Sequence, residues 1–445
     1  LARHGNNSRN ALTFTISFWI KRTELGAIQQ LVNCKAEDSG SNAFIMTITA
    51  DDQIKIGGQP NAGTTGAGSQ RNVIITNNKL RDVSAWYHIV YRQDTTQSTA
   101  ANRHILYING EVSSNGTYAE LDEDAYWLYF YNASSFPYAI CNDERDNVYG
   151  DFYMAEHHYC DGVSNAASAF GETDEDSGIW KPKKYLGSHG TYGHYLEFKN
   201  SGAGSGTSTV GDHDYTTGSA STIGADTSGN DNHFHVQGYA VTDQCTDTPT
   251  NNFCTINSIY KDSGNNIVVA AFSEGNTKML TTVDGWKFGR GTFLLTSGKW
   301  YAEVKATEAG NGETGNFGIV PSQGGVALGN TDDNDVFEGS RITFSSSSTD
   351  LLKLDTGTGS VIFDDFASGE TAHLAVDLDN NKIWVGKEGT WYNDDNASTT
   401  LDASNHDIAL PTVTEGWLFG VGQSRNGSDN VTYEYNWGNP PNAIS

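Results

Sequence analysis

The sequence predicts an all-β protein, two jelly-roll β-sandwiches joined by a loop-rich segment. Three observations lead there. The 445 residues include 49 Gly, 21 Tyr, 19 Phe and 10 Trp but only 18% charged residues, which suits short strands and tight turns. Apolar residues recur at every second position in stretch after stretch. Between two such regions lies Ile223 to Thr255, dense in Gly, Asp, Asn, Thr and Ser and broken at Ser228-Gly229 and Thr248-Pro249, which reads as ordered turns. Its apolar beats, Phe234-His235-Val236 and Tyr239-Ala240-Val241, favour a rigid strap over a flexible tether. The expected boundaries are a sandwich over 1–165, a strap over 166–254 and a second sandwich over 255–445.

In the first region, Leu12, Phe14, Ile16, Phe18 and Ile20 alternate with Thr13, Thr15, Ser17 and Trp19, a strand with one buried face. The runs 43–48 and 53–56 flank Ala50-Asp51-Asp52, a hairpin signal, and Asn72 to Ile75 is a further strand. Trp86 to Arg92 and Arg103 to Val112 follow, the latter interrupted by Asn109-Gly110, which calls for a type I′ turn. Shorter beats occupy 126–131 and 136–141, and Asp151 to Tyr159 closes the set ahead of a turn at Cys160-Asp161-Gly162. The strings FTISFWIKR, AWYHIVYR, HILYINGEV and GDFYMAEHHYCDG, in that order and spacing, resemble LamG-like, concanavalin A-like jelly rolls over about residues 1–165.

In the middle, Glu172, Asp174 and Glu175 loosely echo the paired acids of β-sandwich glycanases, where one carboxyl protonates the leaving group and another attacks or activates water. They lie in a polar, Gly-bounded run without alternation, so a solvated loop is the favoured reading. Tyr195 to Phe198 is a short strand. Taken together, GIWKPKKYLGSHGTYGHYLEF, IGADTSGNDNHF and TDTPTNNFCT resemble a recurring module of bacteriophage virion proteins of tail-fibre-like type, covering about 1–260. That resemblance carries no catalytic residues with it.

The last region again reads as strands, at 266–272, 299–304, 316–320, 373–378, 382–386, 417–422 and 433–438, with Asp379-Asn380-Asn381 as a tight turn. SGKWYAEV, NFGIV, HLAVDLDNNKIWVGKEGTW and NWGNPP are similar in order to SPRY-type sandwiches, which are binding modules. The chain begins at Leu1 without Met, and related phage proteins run past Asn436-Trp437-Gly438, so further chain is expected at either end.

A formal net charge of -27 repels phosphate and disfavours nucleic acid as a partner. No apolar run nears the ~20 residues that span a bilayer, so membrane insertion is not expected. Five cysteines are too few for a disulfide scaffold; Cys245 and Cys254 are close enough for a loop staple, with free buried thiols the stronger reading.

No nucleophile elbow, phosphate loop or zinc-protease motif is present, and the Gly-rich run Gly202 to Gly211 joins no strand to a helix. His157 and His158 are adjacent on a strand and point to opposite faces. His233 and His235 share a face but lack an evident third ligand, and the acidic runs 332–335 and 393–396 lack EF-hand spacing. No metal, cofactor or catalytic residue is therefore expected. Trp391-Tyr392 beside Asp394 is the candidate ligand-binding site, because an aromatic face packs on a sugar's C–H face while carboxylates and amides take its hydroxyls.

The expectation is a phage virion protein of fibre or surface projections, on the particle's exterior, attaching to a host surface glycan or protein. Its other partners would be virion proteins and copies of itself, with a trimer implied by resemblance to fibre proteins. A glycan depolymerase on the same scaffold and a purely architectural decoration protein are the alternatives.

Overall fold

The computed structural model describes the chain except for residues 4–8, 36–41, 59–70, 128–136, 144–147, 202–217, 237, 240–242, 260–269, 283, 309–313, 323–339, 346–350, 354–365, 393–397, 400–407, 411–412, 426–429 and 440–445. With 51% strand and 2% helix, the all-β expectation holds. Strands pair antiparallel throughout the described residues. The chain divides into two units, Leu1–Gln244 with Thr248–Asn252, and Cys245–Asp247 with Phe253–Ser445. Most of the expected strap, up to Gln244, thus folds as part of the first unit.

In the first unit a seven-stranded sheet runs in the order Ala2–Arg3, Tyr138–Ile140, Gln29–Lys35, Asn42–Ile48, Gln53–Gly58, Arg71–Lys79, Asn115–Tyr118. A six-stranded sheet runs His194–Leu196, Phe152–Asp161, Thr13–Arg22, Trp86–Asp94, His104–Ile108, Glu111–Val112. Their facing side chains, among them Phe14, Phe18, Phe44, Met46, Tyr91 and Tyr159, form one buried core. Asn109 and Gly110, at φ 50° and 85°, make the expected type I′ turn. Asp52, at φ 64°, closes the hairpin expected at 50–52.

Thr13–Arg22 departs from its expectation of one buried face. Both faces are buried: Thr15, Ser17, Trp19 and Lys21 are no more than 2% exposed. The reason is a polar cover supplied from later in the chain. Thr15 donates to the Val163 carbonyl, and the Lys21 ammonium donates to Asn252. Trp19 stacks on His88 at 4.5 Å. Trp180 Nε1–H donates to His88 Nδ1 at 3.0 Å, which fixes the neutral tautomer with its proton on Nε2, facing Ser17 Oγ at 2.9 Å. Gly110 and Gly171 hold the Trp180 ring so closely that a Cβ on either would lie 2.7 or 2.5 Å from it. Alternation cannot foresee a second layer whose contacts are hydrogen bonds and stacked rings.

The DTSGNDN run is the knot of the middle segment. Asp226 accepts from the amides of Tyr195, Ser228 and Asn232 and from the Ser228 hydroxyl. Asn230 and Asn232 donate to carbonyls of Gly190, Thr191 and Gly193. This density of side-chain bonds to backbone holds a segment with few ladder bonds of its own in one conformation.

In the second unit a nine-stranded sheet runs Ala270–Ser273, Lys278–Thr281, Val431–Asn436, Lys299–Glu308, Thr371–Asp377, Lys382–Lys387, Thr390–Tyr392, Ser398–Thr399, with Ile408–Ala409 beside Lys382–Lys387. A five-stranded sheet runs Gly285–Arg290, Trp417–Arg425, Thr314–Pro321, Ser340–Ser345, Leu351–Lys353. Ala302, Val304, Leu374, Val385, Phe317, Phe419 and Tyr435 belong to the core between them. Asn381, at φ 53°, completes the expected turn, braced by Asn380 on the Asp377 carboxylate.

Candidate functional site

The second unit's nine-stranded sheet turns alternate residues away from the core. Along Lys299–Glu308, Ala302, Val304 and Ala306 are fully buried, so Tyr301 and Glu303 lie on the opposite face. Register places Glu303 beside Asn436 on one side and His373 on the other, His373 beside Gly386, and Gly386 beside Trp391. One row of side chains thus crosses five strands. Gly386 makes room in it: a Cβ there would sit 3.2 Å from both the His373 and Trp391 rings and 2.6 Å from the Thr390 carbonyl.

The row is wired in one direction. Glu388 and Gly389, at φ 50° and 75°, form a two-residue turn joining Lys382–Lys387 to Thr390–Tyr392. Gly389 N–H donates to His373 Nε2 at 2.7 Å. An amide only donates, so the neutral His373 carries its proton on Nδ1. From there it donates to the Tyr301 hydroxyl at 3.2 Å, which donates in turn to Glu303 Oε1 at 2.6 Å. Asn436 Nδ2 donates to Glu303 Oε2 at 2.7 Å. Burial lowers the His373 pKa against the pull of Glu303 and Glu388. Burial, and then Glu303, raises that of Tyr301, so the phenol keeps its proton.

The result is an aromatic platform on a rigid support. Tyr301 is 50% exposed, whereas His373 and Glu303 are 7% and 8% exposed. Trp391 is half-buried, 6.3 Å from Tyr301 and 5.9 Å from His373 between ring centroids. Both Glu303 oxygens are occupied, which leaves the carboxylate as an anchor for Tyr301.

Of the residues expected here, Trp391 lies in the row. Tyr392 pairs through its backbone with Val385 and Ser398, and Asp394 lies outside the described residues. Tyr301, Glu303, His373 and Asn436 were missed. The alternation in KWYAEV places Tyr301 and Glu303 on one face, but nothing local says that His373 lies opposite.

The other candidates come out as follows. Asp174 is ion-paired to Lys181 at 2.7 Å and bonded by Ser177 at the start of an exposed turn, and Lys181 first of all holds its carboxyl well below the usual range. Asp174 and Glu175 thus lie in the solvated turn, whereas Glu172 lies on a short strand, Gly171–Thr173, paired with Trp180–Pro182. His157 faces the core, stacked on Phe18 at 5.5 Å, while His158 lies on the sheet's other face, buried against Tyr195 at 4.0 Å. His233 accepts from the Asp226 amide, and His235 pairs through its backbone with Ala2. No group of three His, Cys, Asp or Glu among the described residues is placed to hold a metal ion. The Cys245 and Cys254 thiols donate to the carbonyls of Asp247 at 3.8 Å and Thr255 at 3.7 Å. The runs 202–211, 332–335 and 393–396 lie outside the described residues. No helix among the described residues is long and apolar enough to cross a membrane.

Residues 2–168 match the family model of the concanavalin A-like lectin/glucanases superfamily, Laminin_G_3, in agreement with the sandwich of the first unit. Solved structures similar to the chain include the SPRY domain of human HERC1, at 11% identity, covering 37% of this chain and 91% of that one with a TM-score of 0.26. A human SPRY domain matches at 12% identity, 38% and 95% coverage and a TM-score of 0.25. The PSpry domain of TRIM65 matches at 12% identity, 41% and 92% coverage and a TM-score of 0.28. No curated protein matches the chain.

Proposed function

We propose that this is a phage virion structural protein of fibres or surface projections that attaches to host surface glycans through the Tyr301–Trp391 platform. The observation that carries the reading is the platform itself: a half-exposed tyrosine fixed by a directed chain of hydrogen bonds, next to a tryptophan, on a sheet rather than a loop. A catalyst needs a reactive group free to act. Here the carboxylate is tied up at both oxygens, and the rings are what face outward. Its partners in this reading are other virion proteins, copies of itself in a trimer, and the host glycan. Several weak sugar contacts would combine on such an assembly.

One observation favours the depolymerase as a second reading. Glu156, at φ 51° on a bulge in Phe152–Asp161, has its carboxyl pKa raised by burial and then by Glu197. A carboxyl whose pKa is raised by burial beside a second carboxylate is an arrangement that glycoside hydrolysis uses. Against it, Glu197 is held by Lys199 at 2.6 Å. Incubation with host-surface polysaccharide separates the two. Attachment predicts cell binding with no new reducing ends, and Glu156→Gln unchanged in both assays. New reducing ends that vanish in Glu156→Gln would overturn it.

A further inference from the structure

The chemistry of the row narrows what it can hold, and this inference rests on the glycan-attachment reading above. Glu303 is nearly buried and accepts from Tyr301 on one oxygen and from Asn436 on the other, so it anchors the row and presents little of itself to a ligand. On the same face of the sheet, Lys278 is paired with Glu434 at 3.3 Å and Lys299 with Asp377 at 3.7 Å, so these ammonium groups are already engaged. The row itself carries no cationic side chain, since the Gly389 amide holds His373 neutral. A uronate or sialate seated on Tyr301 and Trp391 would therefore find no cationic side chain within the row, on a protein of net charge -27, although Lys305 stands on the same face two residues beyond Glu303. The C–H face of an uncharged sugar meets no such penalty. Tyr301 and Trp391 lie 6.3 Å apart with their planes 63° from parallel, so they present two differently inclined ring surfaces rather than one slot.

We propose that the row binds the C–H face of an uncharged hexopyranose polymer on Tyr301 and Trp391 and discriminates against acidic polysaccharides. Glu303 acts as a positioning residue that holds the Tyr301 ring through its hydroxyl. Stacking needs the ring, whereas orientation needs the phenol oxygen. Tyr301→Phe keeps the first and loses the second.

Affinity electrophoresis of the intact protein tests this, in gels carrying dextran, laminarin, mannan or galactan against gels carrying alginate or polygalacturonate. Retardation is expected in at least one neutral polymer and in neither acidic one at low salt. Tyr301→Ala and Trp391→Ala should weaken it about tenfold. Tyr301→Phe and Glu303→Ala should weaken it by a smaller factor of about three, and Glu303→Gln, which keeps an acceptor for the phenol, should come within about twofold of the parent. Near-UV circular dichroism checks that each variant is folded. Retardation by an acidic polymer equal to or greater than that by the neutral ones would overturn this inference and leave glycan attachment standing. So would undiminished binding by folded Tyr301→Ala and Trp391→Ala. If no polymer of either kind retards the protein, the attachment reading falls and this inference with it.

Discussion

Replacing Asp52 by Ala is expected to destabilise the first unit by about 3–5 kcal/mol, the range for breaking a buried ion pair from one side. Asp52 is 3% exposed, and its carboxylate lies 3.4 Å from the Arg22 guanidinium and 3.0 Å from that of Arg81, and accepts the Gly26 amide at 3.0 Å. Arg22 is 1% exposed and sends its remaining bonds to the carbonyls of Leu80 and Glu24. Burial raises the Asp52 pKa, but the Gly26 amide and the two arginines prevail and leave it below the ordinary carboxylate value. Removing the carboxylate strands Arg22 in the interior with no countercharge from this side. Asp52→Asn separates charge from backbone, because Asn tolerates the left-handed conformation at φ 64°. It should recover part of the loss. Urea unfolding is the measurement: the midpoint should fall with the slope unchanged. A loss below about 1 kcal/mol would mean that the ion trio is dispensable.

Acid should unfold the first unit well above the carboxylate range. His88 and His157 have pKa values lowered to about 3 by burial. His158 and His194 lie well below their ordinary value, through burial first and then through His189 and His157 respectively. Unfolded, each takes a proton as the pH falls through about 6.5; folded, none does until far lower. The unfolded chain then binds more protons than the native one, so stability is lost as pH falls from about 6.5 towards about 3. Each such histidine contributes up to about tenfold in the folding equilibrium per pH unit. Together the four make the unfolding temperature drop by roughly 10 °C between pH 6.5 and 5.5. Scanning calorimetry in half-unit steps checks this. An unfolding temperature flat from pH 7 to 5 would contradict the neutral, buried state of these rings.

The structure also separates what the chain discloses locally from what it does not. Asn109-Gly110 announces its turn because both residues accept positive φ, and the turn at Asn381 is announced in the same way. The turn at Glu388-Gly389 has the same geometry but begins on a glutamate, a residue with no turn preference, so it went unnoticed although it delivers the proton donor for His373. Core faces follow alternation: Ala302, Val304 and Ala306 are inside as a period of two requires. Function sits on the other face, where Glu303 meets His373, Gly386 and Trp391 through the register of its strand against three successive strands some seventy residues later. Trp391 was legible as an aromatic in a polar turn region. Its companions were not, because register is set by the whole sheet. The buried second face of Thr13–Arg22 was hidden for a related reason, since its cover comes from Val163, Trp180 and Asn252.

Adhesion through the outer row of the second unit is the claim on which the account turns. Hydroxyl-radical footprinting of the intact protein, alone and mixed with purified host-surface polysaccharide, addresses it residue by residue. Tyr301 and Trp391 should lose reactivity together when polysaccharide is added, while Tyr118 and Tyr149, exposed in the first unit, keep theirs. Protection confined to the first unit, with Tyr301 and Trp391 as reactive as before, would contradict it.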